Sequence, residues 1–80
     1  MTMPASFKIA GTNESGECFF ESRTDGGFIA FLGQHPDGWG ADIFQSDKDA
    51  EDGKIYLSRF APDLPQLLKL LEEAGMAISR

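Results

Sequence analysis

Eighty residues with a net charge of −6 make a single domain, spanning 1–80, with one thin core and no deep cleft. The charge divides evenly between the two halves of the chain and disfavours direct contact with nucleic acid or anionic membranes. The single cysteine, Cys18, excludes an internal disulfide and with it the disulfide-stapled class of secreted domain.

The start, M-T-M-P-A-S-F-K, has no basic stretch followed by an apolar run, so no signal peptide is expected. Phe28–Leu32 is the longest apolar run and is far too short to cross a bilayer. A cytoplasmic location is the expectation.

Ser6–Thr12 alternates, with Phe7 and Ile9 on one side, and reads as a half-buried first strand. Asn13–Gly16 has turn chemistry. Glu17–Arg23 reads as the second strand, Cys18 and Phe20 on one face, Phe19 and Glu21 on the other. Asp25-Gly26 between two apolar runs is a strong hairpin signal. Phe28–Leu32, apolar on both faces, is expected at the sheet centre. Gly33–Gly40, with three glycines and a proline, reads as a loop. Trp39–Ser46 reads as the fourth strand, Ala41 and Ile43 pointing one way and Asp42 and Phe44 the other. Asp47–Gly53 is the most polar stretch and reads as a solvated turn. Lys54–Arg59 reads as the fifth strand, with Ile55 and Leu57 inward and Tyr56 outward.

The segment from Pro62 to Gly75 has the marks of an amphipathic helix. Asp63 suits the N-cap, where its carboxylate accepts from free first-turn N–H groups. Pro65 falls in the first turn, where its missing N–H costs nothing. Leu64, Leu67, Leu68 and Leu71 form one stripe, and Leu70 widens it. Gly75 is the left-handed stop. Met76–Ser79 reads as a short last strand or a docked tail. The expected fold is α+β: an antiparallel five-stranded meander sheet, order 1-2-3-4-5, with one C-terminal helix packed across one face.

Catalytic and metal motifs are missing. An EF-hand reading started at Asp47 finds Asp49 and Glu51 in place. Asp52 stands where glycine is needed, and Ser58 where the bidentate glutamate belongs. Cys18 and His35 are too few to complete a zinc site and lack a supporting motif for thiol catalysis. Glu21 and Asp42 share a strand face and would suit acid–base work only if close and buried. No cofactor is expected, and the chain reads as a non-enzyme.

Two features stand out. Asp42, Asp47, Asp49, Glu51 and Asp52 are opposed locally by Lys48 alone. Trp39 precedes them in a glycine-rich stretch and, if exposed, would be an interface anchor. These six residues are the candidate partner-binding set. In an extended chain, alternate acids stand ~6.7 Å apart, close to the ~6.8 Å rise of two nucleotides along a strand. The expected partner is a basic protein surface, of the kind found in a nucleic-acid-binding complex.

In size, acidity and lack of catalytic motifs the chain resembles the small acidic inhibitors made by phages, such as anti-CRISPR and anti-restriction proteins. That resemblance implies an inhibitor acting by DNA mimicry and assigns no residue roles. The alternative expectation is a small assembly subunit, a homodimer or part of a larger complex, pairing through an open sheet edge.

Overall fold

The computed structural model describes residues 8–12 and 18–78. Five strands form one antiparallel sheet in the order β1-β2-β3-β4-β5, and a C-terminal helix packs across one face, as the α+β expectation required. The strands are β1 (Lys8–Thr12), β2 (Cys18–Arg23), β3 (Ile29–His35), β4 (Gly38–Phe44) and β5 (Leu57–Ala61). A short helix, α1 (Asp47–Asp52), separates β4 from β5, and α2 (Leu64–Glu73) follows. Residues 6, 7, 13–17 and 79, assigned from sequence to the first strand, the first turn, the start of the second strand and the end of the last strand or tail, lie outside the described residues. Among the described residues, no helix is long and apolar enough to cross a membrane.

Alternation in the strands sorts side chains onto two faces. One face presents Ala30, Leu32, Trp39, Ala41, Ile43 and Ala61 to α2. From α2, Leu64, Leu67 and Leu71 meet them, each 2% exposed or less. Each such leucine contributes ~1.5–3 kcal/mol by leaving water. Leu68 and Leu70 are only half-buried and pack at the margin.

The ends of α2 follow their sequence signals. The Asp63 carboxylate accepts from the Gln66 N–H at 2.9 Å. At the other end the Gly75 N–H donates to the Glu72 carbonyl and the Met76 N–H to the Leu71 carbonyl. Gly75 has φ +81°, so the helix ends in a Schellman motif. Met76, buried in the same core as Leu71, supplies its apolar contact. Beyond it the tail docks: Ile78 bridges Thr24, and the Asp25 N–H donates to the Ala77 carbonyl.

Three expectations are corrected. Gly33–Gly40 is not a loop: β3 runs on to His35, and Pro36 and Asp37 alone connect it to β4. Gly33 pairs with Gly40 and Gln34 with Trp39. The glycines are tolerated because aromatic rings occupy their missing side-chain space; a Cβ on Gly33 would lie 3.0 Å from the Phe19 ring. The turn uses Gly38 at φ +150°.

Asp47–Gly53 is not a solvated turn but the helix α1. Ser46 caps it by accepting from the Asp49 N–H at 3.1 Å, and Gly53 closes it at φ +72°. Finally, β5 starts at Leu57 rather than Lys54, and Ile55 is 54% exposed instead of inward.

Candidate functional site

The face of the sheet turned away from α2 carries the candidate site. Here β2 contributes Phe19 and Glu21, β3 contributes Phe31, Gly33 and His35, β4 contributes Gly40 and Asp42, and β5 contributes Ser58 and Phe60. Among the described residues the cover on this face is α1, which lies at one end with its Ala50 beside the cleft near Phe44. The result is a cleft of about 460 Å³. Its walls are the rings of Phe19, Phe31, Phe60 and His35, with Asp42 in the lining and Ala50 of α1 at one end.

The paired glycines make the cleft possible. A Cβ on Gly40 would come within 3.4 Å of His35 Nε2 and 3.5 Å of the Phe60 ring. The rings therefore lie over bare backbone instead of standing off it. His35 and Phe60 have centroids 6.3 Å apart, and Phe31 meets Phe44 edge-on at 5.6 Å. Phe60 is 52% exposed, so about half of its surface is open to solvent at the cleft.

Two polar side chains, Asp42 and Ser58, face the cleft, and Arg59, which pairs with Ala41, borders it from the β5 edge. Asp42 accepts a hydrogen bond from the Ser58 hydroxyl at 3.1 Å through Oδ1. Among the described residues its second oxygen accepts none. Arg59 lies at the β5 edge, its guanidinium donating to the Ser58 carbonyl at 2.8 Å. Glu21 and Asp42 occupy one row across the sheet with Phe31 between them. Two strand spacings, ~9.5 Å of backbone separation, keep them from acting as a hydrogen-bonded pair.

The six residues singled out from the sequence divide. Trp39 is not an exposed anchor: it is 6% exposed, its ring tilted against that of Phe20 at a centroid distance of 6.0 Å, and it is enclosed under α2. The reason is parity, since Trp39 shares the inward face with Ala41 and Ile43. Asp42 opens into the cleft. Asp47, Asp49, Glu51 and Asp52 are on α1 at one end of it.

Because that segment is helical, the extended spacing of its acids does not exist. Successive residues turn by about 100°, which puts Asp49 on the far side from Asp47 and Glu51. The ~6.7 Å ladder matched to phosphates is thereby lost. Asp47 pairs with Arg23 at 3.4 Å, both side chains well exposed, a contact of little energetic weight. Among the described residues, the carboxylates of Asp49, Glu51 and Asp52 enter no ion pair. Nor is any group of three or more His, Cys, Asp or Glu side chains there placed to hold a metal ion.

Sequence reasoning missed Phe19, Phe31, His35 and Phe60 as a constellation. Alternation covers Phe19 and Phe31, but the sequence reading puts His35 in a loop and Phe60 beyond the end of the fifth strand, and the role of Gly33 and Gly40 in letting the four converge needs the β3–β4 register. No family model matches the chain, and comparisons with curated proteins and with solved structures find no match.

Proposed function

We propose that the chain is a non-enzymatic acidic binding protein that docks on, and blocks, a basic surface of a partner that handles nucleic acid. The observation that supports this most is the juxtaposition of two features. Carboxylates of α1 without an ion-pair partner stand at one end of an open aromatic cleft. Aromatic surface supplies desolvated contact area, while surrounding charge steers a basic partner and sets its orientation. Extended basic surfaces are typical of proteins that grip phosphate backbones. Inhibition follows from occupancy, because lysines and arginines engaged here are withheld from nucleic acid.

The test is capture of partners from a nucleic-acid-rich lysate by wild type and by the double variant Asp49→Lys, Glu51→Lys, at low and at high salt. Both substitutions lie on the exposed helix α1, so the sheet and α2 core should survive. A specific partner lost in the variant and at high salt supports the reading. A partner retained equally in all conditions removes the α1 charge from the mechanism.

One observation favours a second reading. The large exposed apolar residues Ile55, Tyr56 and Phe60, at 54%, 51% and 52%, all belong to the edge strand β5 or its approach. An edge with open backbone groups and apolar flanks suits strand addition, giving a dimer or a larger assembly. Its signature is a sedimentation-defined dimer insensitive to salt and dissociated by Ile55→Lys.

A further inference from the structure

We infer that the cleft on the open sheet face is a receptor for a single arginine side chain of the basic partner. The inference rests on the basic-partner reading above and names the atoms that would do the recognising. A guanidinium is planar, weakly hydrated and suited to stacking on aromatic faces, and it donates charge-assisted hydrogen bonds to a carboxylate. The cleft offers both. Phe60 is half exposed beside His35, with Phe19 and Phe31 across the paired glycines. Asp42 stands among them, one oxygen held by the Ser58 hydroxyl. That hydrogen bond fixes the carboxylate while leaving its other oxygen for an incoming donor. The volume of about 460 Å³ accommodates a long side chain and part of its backbone.

Charge selects this occupant over a second copy of the chain. Two copies joined through this face would bring together molecules of charge −6, with Asp42 and the α1 acids of each near those of the other. An anionic ligand would meet the same field. Arg59, the basic residue of the lining, is turned onto the Ser58 carbonyl at the sheet edge. An entering arginine would feel Arg59 as a repulsive neighbour and Asp42 as its counter-ion. The two residues thus make opposite predictions for cationic and anionic ligands.

The test is an NMR titration of the whole protein with N-acetyl-arginine amide, using N-acetyl-citrulline amide as the neutral control of the same shape. Saturable shifts are expected for the ring protons of Phe19, Phe31 and Phe60 with arginine and not with citrulline. Asp42→Asn should weaken the response roughly tenfold, through loss of a charge-assisted pair. Phe60→Ala should weaken it about two- to fivefold. Arg59→Gln should strengthen it. Absence of saturable shifts, an equal response to citrulline, or weaker binding in Arg59→Gln would each overturn the inference.

Spectra of each variant report folding directly, so loss through unfolding is recognised. The two levels fail separately. A captured partner that depends on Asp49 and Glu51 but tolerates Asp42→Asn and Phe60→Ala leaves the basic-partner reading standing and removes the arginine receptor.

Discussion

Gly33 and Gly40 face each other across β3 and β4, and each is roofed by an aromatic ring: Phe19 over the first, His35 and Phe60 over the second. Glycine usually weakens a strand, because it has no side chain to pack and loses more entropy on ordering. Here the rings recover the packing and, by lying low, leave the cleft open. Gly33→Ala should therefore act on the cleft more than on the fold. A methyl 3.0 Å from the Phe19 ring carbon forces that ring outward, whereas the core under α2 is untouched. The expected outcome is a change in Phe19 and His35 ring shifts, with the thermal midpoint moving by only a few degrees. Unfolding would mean that the rings support the sheet more than the cleft.

Gly38→Ala should behave differently. Its φ of +150° disfavours a side chain, and an added methyl would collide with the Ala61 carbonyl and crowd the Pro62 backbone. Neither neighbour is a flexible side chain. A loss of about 2–4 kcal/mol is expected, read by chemical denaturation. A loss below ~1 kcal/mol would show that the turn and the β5–α2 junction shift freely.

The leucine stripe of α2 makes a graded prediction. Leu67 is fully buried and Leu68 is half-buried, although the two are adjacent in sequence. Leu67→Ala should cost about 2–5 kcal/mol, enough to unfold a marginal domain of this size. Leu68→Ala should cost about 1 kcal/mol. Equal losses would contradict the orientation of α2 on the sheet.

That contrast marks how far the sequence could be read. The cap at Asp63, the stop at Gly75 and the stripe of leucines specify α2 locally, because each signal lies within a few residues of its effect. Leu68 fits the same helical stripe, and only the line along which α2 crosses β4 and β5 sets it apart from Leu67. The same limit explains Gly33–His35: glycine and polar residues look like a loop until Phe19, from another strand, fills the gap. Alternation with Ala41 and Ile43 turns Trp39 inward, but its glycine neighbours point to a loop and so to the exposed anchor that the buried ring rules out. Helix α1 hid for a different reason. Ser46 and Gly53 are proper start and stop signals, yet between them only Ala50 is apolar, so no periodic stripe announces a helix.

Ser22 supplies a prediction of opposite sign. Its hydroxyl is buried at 4% exposure and, among the described residues, has no hydrogen-bond partner. A buried unpaired hydroxyl carries a desolvation cost that nothing repays. Ser22→Ala should therefore stabilise the domain by about 1 kcal/mol. A destabilised variant would indicate that the hydroxyl is satisfied, for example by a bound water.

Helix α1 permits a separation of charge from arrangement. Asp47 and Asp49 suit the positive end of the helix dipole, whereas Glu51 and Asp52 crowd its negative end with no basic residue in the last turn. So short a helix is marginal without its caps. Ser46→Ala removes the side-chain acceptor of the Asp49 N–H and should cost the helix about 1 kcal/mol, seen as faster amide exchange through residues 47–53. Asp52→Lys should slow exchange there by relieving the dipole, while lowering the acidity of the surface. If partner binding depends on how the acids are displayed, Ser46→Ala weakens it at unchanged net charge. If binding follows charge alone, Ser46→Ala leaves it intact and Asp52→Lys reduces it. Affinities of the two variants at matched salt decide between ordered recognition by α1 and a diffuse acidic field.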